Sequence, residues 1–322
     1  MPPDPVTSNP RRAALAALVV LASLMEACGG TDPVGYDFGK AEGEGEVGVW
    51  VHSGLYNREY TLHTPPGMDE GGSYPLLVFL HGAGDTGEGF ERRLRADART
   101  DAAGYITVYP DGMEGTWAPG CEDCTPASVL GADDVGFLET LVRQLAGSLP
   151  VDTTRVYLAG YSQGGSLAQF YACTASLPPA GIAVVAALLY VRVADGCAPA
   201  APFPVMIVHG DADPVSLFGG FGPRAPVLSV PDMVQRWLDL LACSDTAQTG
   251  FLPDTAGDYT TVSTFRFGGC VDGTVVAFDL ISGGGHTWAG DTGPWPSFTG
   301  NHSRNLDTTG EILDFFGEMS GR

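Results

Sequence analysis

The segment Arg155-Val156-Tyr157-Leu158-Ala159-Gly160-Tyr161-Ser162-Gln163-Gly164 decides how this chain of 322 residues is read. Its first half is a short apolar run with the character of a buried strand, and residues 165–177 continue in a helix-like pattern. Ser162 therefore stands at a sharp turn from strand to helix. A serine held on so tight a turn needs glycine two residues before and two after, because a side chain there would collide with the adjoining strand or helix. The turn lifts the hydroxyl above the sheet and aims the Gln163 N–H at the place where an oxyanion would form. In a chain with 45 glycines the pentapeptide alone is a weak signal; the strand before it and the helix after it give it weight.

A serine hydroxyl becomes a nucleophile only with a base and a carboxylate to orient that base. There are six histidines. His286, in Gly283-Gly284-Gly285-His286-Thr287-Trp288, follows the strand-like run 274–281 and has the glycines needed to fold back over the serine. His302 has polar neighbours and no preceding strand, and reads as a surface residue. The acid is expected after the strand Pro204-Val205-Met206-Ile207-Val208-His209, in Asp211-Ala212-Asp213-Pro214. Asp213 is preferred, because it lies further into the loop and the proline behind it stiffens the turn. Asp211 stays open as the alternative, with a local loop-bonding role as its other reading. A second oxyanion donor belongs to the loop after the strand 75–80, in His81-Gly82-Ala83-Gly84; Ala83 is the first choice and Gly82 the second. His81 and His209 read as structural histidines at strand ends.

Strands are expected at 46–53 and 56–63 as an antiparallel hairpin, then at 76–80, 105–109, 155–160, 182–189, 204–209 and 274–281. Helices are expected at 87–103, 133–148, 164–177, 230–242 and 307–318, with Asp133 or Asp134 capping the second. This alternation implies an α/β protein: a mostly parallel central sheet, helices on both faces, and a site at the carboxyl ends of the strands. Trp117, Phe218, Phe221, Trp288 and Trp295 fall on loops beside the expected cleft. Trp288, with Trp117, is assigned to substrate contact; loop packing is the competing reading for each.

Five segments in this order resemble the secreted poly(3-hydroxybutyrate) depolymerase and feruloyl esterase group of α/β-hydrolases. They are Leu80-His81-Gly82-Ala83-Gly84, Asp133-Asp134-Val135-Gly136-Phe137, Gly160-Tyr161-Ser162-Gln163-Gly164-Gly165, His209-Gly210-Asp211-Ala212-Asp213 and Gly283-Gly284-Gly285-His286-Thr287-Trp288. The resemblance spans about residues 45–320 and implies the α/β-hydrolase fold, with Ser162, Asp213 and His286 as a catalytic triad. Asp85 stands where many relatives have another glycine. The resemblance, together with proximity in sequence, also implies the disulfides Cys121–Cys124, Cys173–Cys197 and Cys243–Cys270. The first of these has redox-motif spacing but lies between Pro119 and Pro126 in a loop, and reads as a structural staple.

Residues 1–28 read as an export signal: Arg11 and Arg12, an apolar stretch from Ala13 to Met25, then Ala27-Cys28-Gly29-Gly30, which looks like a lipoprotein cleavage site with Cys28 as the lipidated residue. An ordinary secretory signal is the alternative. Seven cysteines are odd for an exported protein, and setting Cys28 aside leaves six to pair. Residues 29–45, glycine-rich and acidic, read as a flexible tether, and 46–322 as one catalytic domain. The net charge of −22 argues against a nucleic-acid partner and suits a neutral or apolar substrate. The expectation is an exported serine esterase acting through an acyl-enzyme on a small or polymeric ester, with no metal or cofactor, and with a membrane tether through Cys28. Feruloyl or acetyl esters of polysaccharide and polyhydroxybutyrate-type polyesters are the expected substrates. A serine peptidase of the same fold and an inactive surface binding lipoprotein are the rival readings.

Overall fold

The computed structural model describes residues 49–53, 56–222 and 224–321. Residues 1–28, expected as an export signal with Cys28, and 29–45, expected as a tether, lie outside the described residues. Val49–Ser53 (β1) and Tyr56–His63 (β2) form the expected antiparallel hairpin. Tyr74–Leu80 (β3), Ile106–Pro110 (β4), Val151–Tyr161 (β5), Gly181–Val185 (β6) and Val205–Gly210 (β7) follow. Ala247–Phe251 (β8), Thr261–Phe267 (β9) and Val276–Ser282 (β10) complete the strands among the described residues. The sheet order is β1-β2-β4-β3-β5-β6-β7-β10-β9-β8. From β4 through β3, β5, β6 and β7 to β10 every pairing is parallel, while β1, β2, β8 and β9 run antiparallel at the two edges.

The helices are Gly87–Leu94 (α1), Asp97–Ala103 (α2), Pro126–Val129 (α3), Asp134–Ser148 (α4), Gln163–Thr174 (α5), Val191–Gly196 (α6), Val230–Leu240 (α7) and Thr308–Ser320 (α8). Strand periodicity assigns each side chain to one of two cores. Leu76, Val78 and Leu80 of β3 pack with Phe137 and Leu141 of α4, Leu167 of α5 and Trp237 of α7. Leu77 and Phe79, pointing the other way, pack with Phe90 and Leu94 of α1 and with Ile312 and Phe316 of α8. Burial on both faces is why the central strands are uniformly apolar.

Three local expectations are corrected. The helix expected at 87–103 is two helices, because Arg95 takes a left-handed conformation (φ 48°) and its N–H turns back to the Glu91 carbonyl at 2.9 Å. The strand expected at 182–189 stops at Val185, because Ala186 has φ 50° and turns the chain out of the extended conformation. The β8–β9 hairpin was not expected. It extends the sheet beyond β10 and brings Arg266 against Asp279, whose side chain is fully buried (Nη1 to Oδ1 2.5 Å).

The structure joins Cys121 to Cys124, Cys173 to Cys197 and Cys243 to Cys270. The last two close spans of 24 and 27 residues, constraining the unfolded chain. By the loop-entropy account each is worth about 3 kcal/mol.

Asp133 caps α4, accepting from the Gly136 N–H at 2.9 Å. Asp134, next to it, turns inward and pairs with Arg58 of β2; their side chains are 0% and 6% exposed. The other Asp134 oxygen accepts from the Ala118 N–H at 2.6 Å, and the Arg58 guanidinium lies 4.2 Å from the Phe137 ring centroid. Burial pushes the Asp134 carboxyl above its ordinary value and pulls the guanidinium below its own, and each charge opposes the shift of the other. Removing one partner strands the other charge in the core. Asp134→Ala is therefore expected to cost about 3–5 kcal/mol, read as a lowered urea midpoint at unchanged slope; a loss below about 1 kcal/mol, the range of exposed pairs, would show that the pair is solvated.

Candidate active site

Ser162 is the residue between β5 and α5, with φ 53° and ψ −120°. Two close approaches hold it there. A Cβ on Gly160 would lie 2.3 Å from the Gly164 carbonyl oxygen, and a Cβ on Gly164 would lie 2.2 Å from the Leu80 carbonyl oxygen. Strand, helix and the β3 end meet backbone to backbone at the glycines, and the turn between them is left the strained conformation. Its N–H donates to the Val185 carbonyl of β6 at 2.9 Å.

Ser162 Oγ lies 2.9 Å from His286 Nε2, and His286 Nδ1 lies 2.8 Å from Asp213 Oδ2. A carboxylate only accepts, so Nδ1 carries the hydrogen and Nε2 is free to accept from the serine. Asp213 is held by the Val215 and Ser216 N–H groups, both 2.8 Å from its Oδ1. His286 is 5% exposed and is fixed through its backbone. Its N–H donates to the Thr299 carbonyl at 2.6 Å, and its carbonyl accepts from the Tyr161 hydroxyl at 2.9 Å.

Asp211 does not reach the imidazole. Its Oδ1 accepts from the Gly283 N–H at 2.6 Å, its N–H donates to the Ile281 carbonyl at 3.1 Å, and the Ala212 N–H donates to the Gly284 carbonyl at 3.1 Å. These bonds zip the loop after β7 to the loop after β10, which is how Asp213 and His286 come to face each other.

The loop 81–84 passes over the serine: a Cβ on Gly82 would stand 3.4 Å from the Ser162 Cβ. Among the described residues the amides of Gln163 and Ala83 donate to no other group. His81 is fully buried, donating from Nδ1 to the Gly82 carbonyl at 2.7 Å and accepting at Nε2 from the Gly112 N–H at 2.9 Å. His209, also fully buried, bonds the Gly210 carbonyl at 2.9 Å in the same way. Burial lowers the pKa of both, so they stay neutral and structural.

Three expectations about this region are corrected. Trp288 is 0% exposed, packs against Phe79 and Phe90, and donates its indole N–H to Thr309 Oγ1 at 3.1 Å. Trp117 is likewise 0% exposed. Neither ring faces a substrate: both are core residues beneath the site. His302 is only 21% exposed, stacks on Trp295 and lies 3.5 Å from Asp291 Oδ1. Tyr161 was missed. Besides bonding the His286 carbonyl, its ring lies 5.1 Å from the imidazole and 5.2 Å from Trp295. The signal was available, since an aromatic residue directly before the serine on a buried strand must pack against whatever covers the serine. Among the described residues no group of three or more His, Cys, Asp or Glu side chains is arranged to hold a metal ion.

A serine on a strand-to-helix turn at the carboxyl edge of such a sheet, hydrogen-bonded to a buried histidine, has the arrangement of an α/β-hydrolase. The family model described as esterase PHB depolymerase matches residues 58–242, more than half of the chain. The protein named Putative esterase NocK, of Nocardia uniformis subsp. tsuyamanensis, is 32% identical over 274 residues, covering 80% of this chain and 78% of that protein. The chain therefore belongs to the esterase PHB depolymerase family and is a carboxylic ester hydrolase. Feruloyl esterase B of Piromyces equi is 25% identical across 71% of this chain, which spans 42% of that protein. Among solved structures, the acetyl xylan esterase from Aspergillus awamori shares the fold with a TM-score of 0.57 at 12% identity, covering 81% of this chain and 94% of that one.

The strain at Ser162 can be measured apart from its chemistry. Ser162→Ala and Ser162→Gly both lose the hydroxyl and differ in the Cβ, which is what the positive φ penalises. The glycine variant is expected to unfold at higher urea, by about 1 kcal/mol or more; equal stability would show that the turn is unstrained.

Proposed function

We propose that this esterase is an exported serine hydrolase in which Ser162, His286 and Asp213 act as a catalytic triad. The observation that carries the reading is the unbroken line from Ser162 Oγ through both His286 nitrogens to Asp213, at 2.9 and 2.8 Å. Ser162 attacks the ester carbonyl as His286 Nε2 takes its proton. Asp213 keeps the imidazole in the required tautomer and stabilises its charged form. The Gln163 and Ala83 N–H groups hold the tetrahedral oxyanion. His286 returns the proton to the departing alcohol, and water resolves the acyl-enzyme along the reverse path.

The substrate we propose is a feruloyl or acetyl ester of polysaccharide, or a polyhydroxybutyrate-type polyester. The names of the curated relatives support the ester class. The loop after Asp213 leaves Val215, Leu217 and Phe221 exposed, and the loop after His286 leaves Phe298 exposed. Together with the net charge of −22 they suit a neutral, partly apolar ester. Export is supported by the three disulfides. They account for six of the seven cysteines, and we propose the seventh, Cys28, as the site of a lipid tether.

Hydrolysis of para-nitrophenyl acetate and butyrate, methyl ferulate and a hydroxybutyrate oligomer tests the reading. Ser162→Ala is expected to remove nearly all turnover, and Asp213→Asn to lower kcat about 10⁴-fold while leaving the fold intact. Wild-type turnover in Ser162→Ala would end the mechanism, and the best ester of the panel selects the substrate. For the tether, Cys28→Ser is expected to move the protein from the membrane fraction to the soluble one; an unchanged distribution would remove the lipid.

A further inference from the structure

Trp117 lies in the loop between β4 and α3, far in sequence from Ser162, Asp213 and His286. Its two N–H groups point to different elements. The main-chain N–H donates to the side-chain Oε1 of Gln163 at 2.7 Å, and the indole Nε1–H donates to the His81 carbonyl at 2.9 Å. Gln163 is the first residue of α5 and contributes its own amide to the serine pocket. His81 opens the loop that carries Ala83. One buried residue thus bonds both of the elements that carry the two amides facing the site.

The surrounding contacts make this a brace. The same loop grips residues 81–84 at two further points: the Gly112 N–H donates to His81 Nε2 at 2.9 Å, and the Gly84 N–H donates to the Gly115 carbonyl at 2.8 Å. The Ala83 amide is therefore flanked by bonded residues on both sides while remaining unpaired itself. The Trp117 ring packs on the His81 imidazole, with centroids 4.8 Å apart. Behind it, the Trp117 carbonyl accepts from Thr125 Oγ1 at 2.7 Å, and the Ala118 N–H donates to Asp134 at 2.6 Å. Arg58, paired with Asp134, stands 5.6 Å from the indole centroid. A core tryptophan needs neither of its bonds to be made to these two residues.

We propose that Trp117 is a positioning residue that sets the separation and direction of the Gln163 and Ala83 amides, so that both reach one oxygen. This rests on the reading of those amides as the oxyanion hole. Two donors act on a developing charge only if both are fixed before it appears, and a displacement of about 1 Å is enough to lose about a hundredfold in rate. Because the oxyanion exists in the transition state and not in the bound ester, loosening the brace lowers kcat and leaves KM nearly unchanged.

The test is Trp117→Phe, which keeps an aromatic ring and the main-chain bond to Gln163 but deletes the indole donor. Gln163→Met, which cuts the link on the other side without touching the Gln163 amide, is the second variant. Each is assayed on para-nitrophenyl butyrate with kcat expressed per active serine, titrated with a fluorophosphonate. The expected result is a fall in kcat of about 10- to 100-fold per titrated serine, with KM within about twofold. The affinity of a trifluoromethyl ketone, whose hemiketal oxygen occupies the same place, should weaken by the same factor. Wild-type kcat per titrated serine in the folded variants overturns the proposal, even if fewer sites titrate, because that is the signature of packing alone. Should Trp117→Phe fail to fold, Gln163→Met decides by the same readout. Ser162→Ala run alongside separates the two levels: turnover surviving in it removes the triad reading, whereas an inactive Ser162→Ala beside an unimpaired Trp117→Phe removes only the brace.

Discussion

The backbone approach of β5, α5 and the end of β3 around Ser162 is the constraint on which the rest of the site depends. The Gly160 and Gly164 positions are so close to carbonyl oxygens of neighbouring segments that no Cβ fits, and Ser162 takes φ 53° between them. Strain of this kind persists only where the surroundings over-determine it. Here they do: β5 is paired on both sides, with β3 and β6, and α5 packs its apolar face directly onto the same sheet. The hydroxyl position is a property of the core rather than of a loop. The histidine, acid and amide-bearing loop then have a fixed point to be assembled around.

The parts that were legible in the sequence were those whose signal is local. Continuous apolar runs marked the central strands because both faces of the sheet are covered, and the serine turn was readable from its glycines. Asp213 is preferred over Asp211 from its place in the loop and the proline behind it; in the structure Asp213 bonds the His286 imidazole and Asp211 is engaged by the Gly283 amide. What escaped depends on long-range packing. The β8–β9 hairpin lies at the sheet edge, mostly half-exposed or exposed, so it has little apolar pattern. Asp279, a carboxylate inside the otherwise apolar run 276–281, was nonetheless a clue that a cation must arrive from elsewhere. Trp117 and Trp288 looked like cleft residues because they fall on loops near site residues in sequence. A tryptophan on a loop is equally able to face a ligand or the core, and only the direction of its indole N–H, toward His81 and Thr309, decides the matter.

A repeated device holds the loops on either side of the serine. His81-Gly82 directly follows β3, and β7 ends in His209-Gly210. In each case the buried imidazole bonds the carbonyl of the glycine that follows it. The first loop carries the Ala83 amide and the second carries Asp213. Burial depresses both imidazoles below their ordinary pKa, so neither introduces a charge beside the site. Each loop is thus turned at its root by a neutral donor that does not depend on solvent. In both places the histidine fixes the glycine from which the loop departs.

The roots of these loops and their outer parts are held differently. The loops that carry Asp213 and His286 are zipped together near the strand ends, through Asp211, Ala212 and Gly283, but their outer parts carry the exposed Leu217, Phe221 and Phe298. The Asp213 loop is also tied to the Cys121–Cys124 staple: Arg224 Nη1 donates to the Cys124 carbonyl at 3.1 Å. The two layers of these loops therefore differ in how they are held. The inner layer is fixed by backbone bonds to β7 and β10. The outer layer carries exposed apolar side chains on a loop whose backbone is bonded to its own residues and to 189–191, so those side chains can differ without moving Ser162, His286 or Asp213.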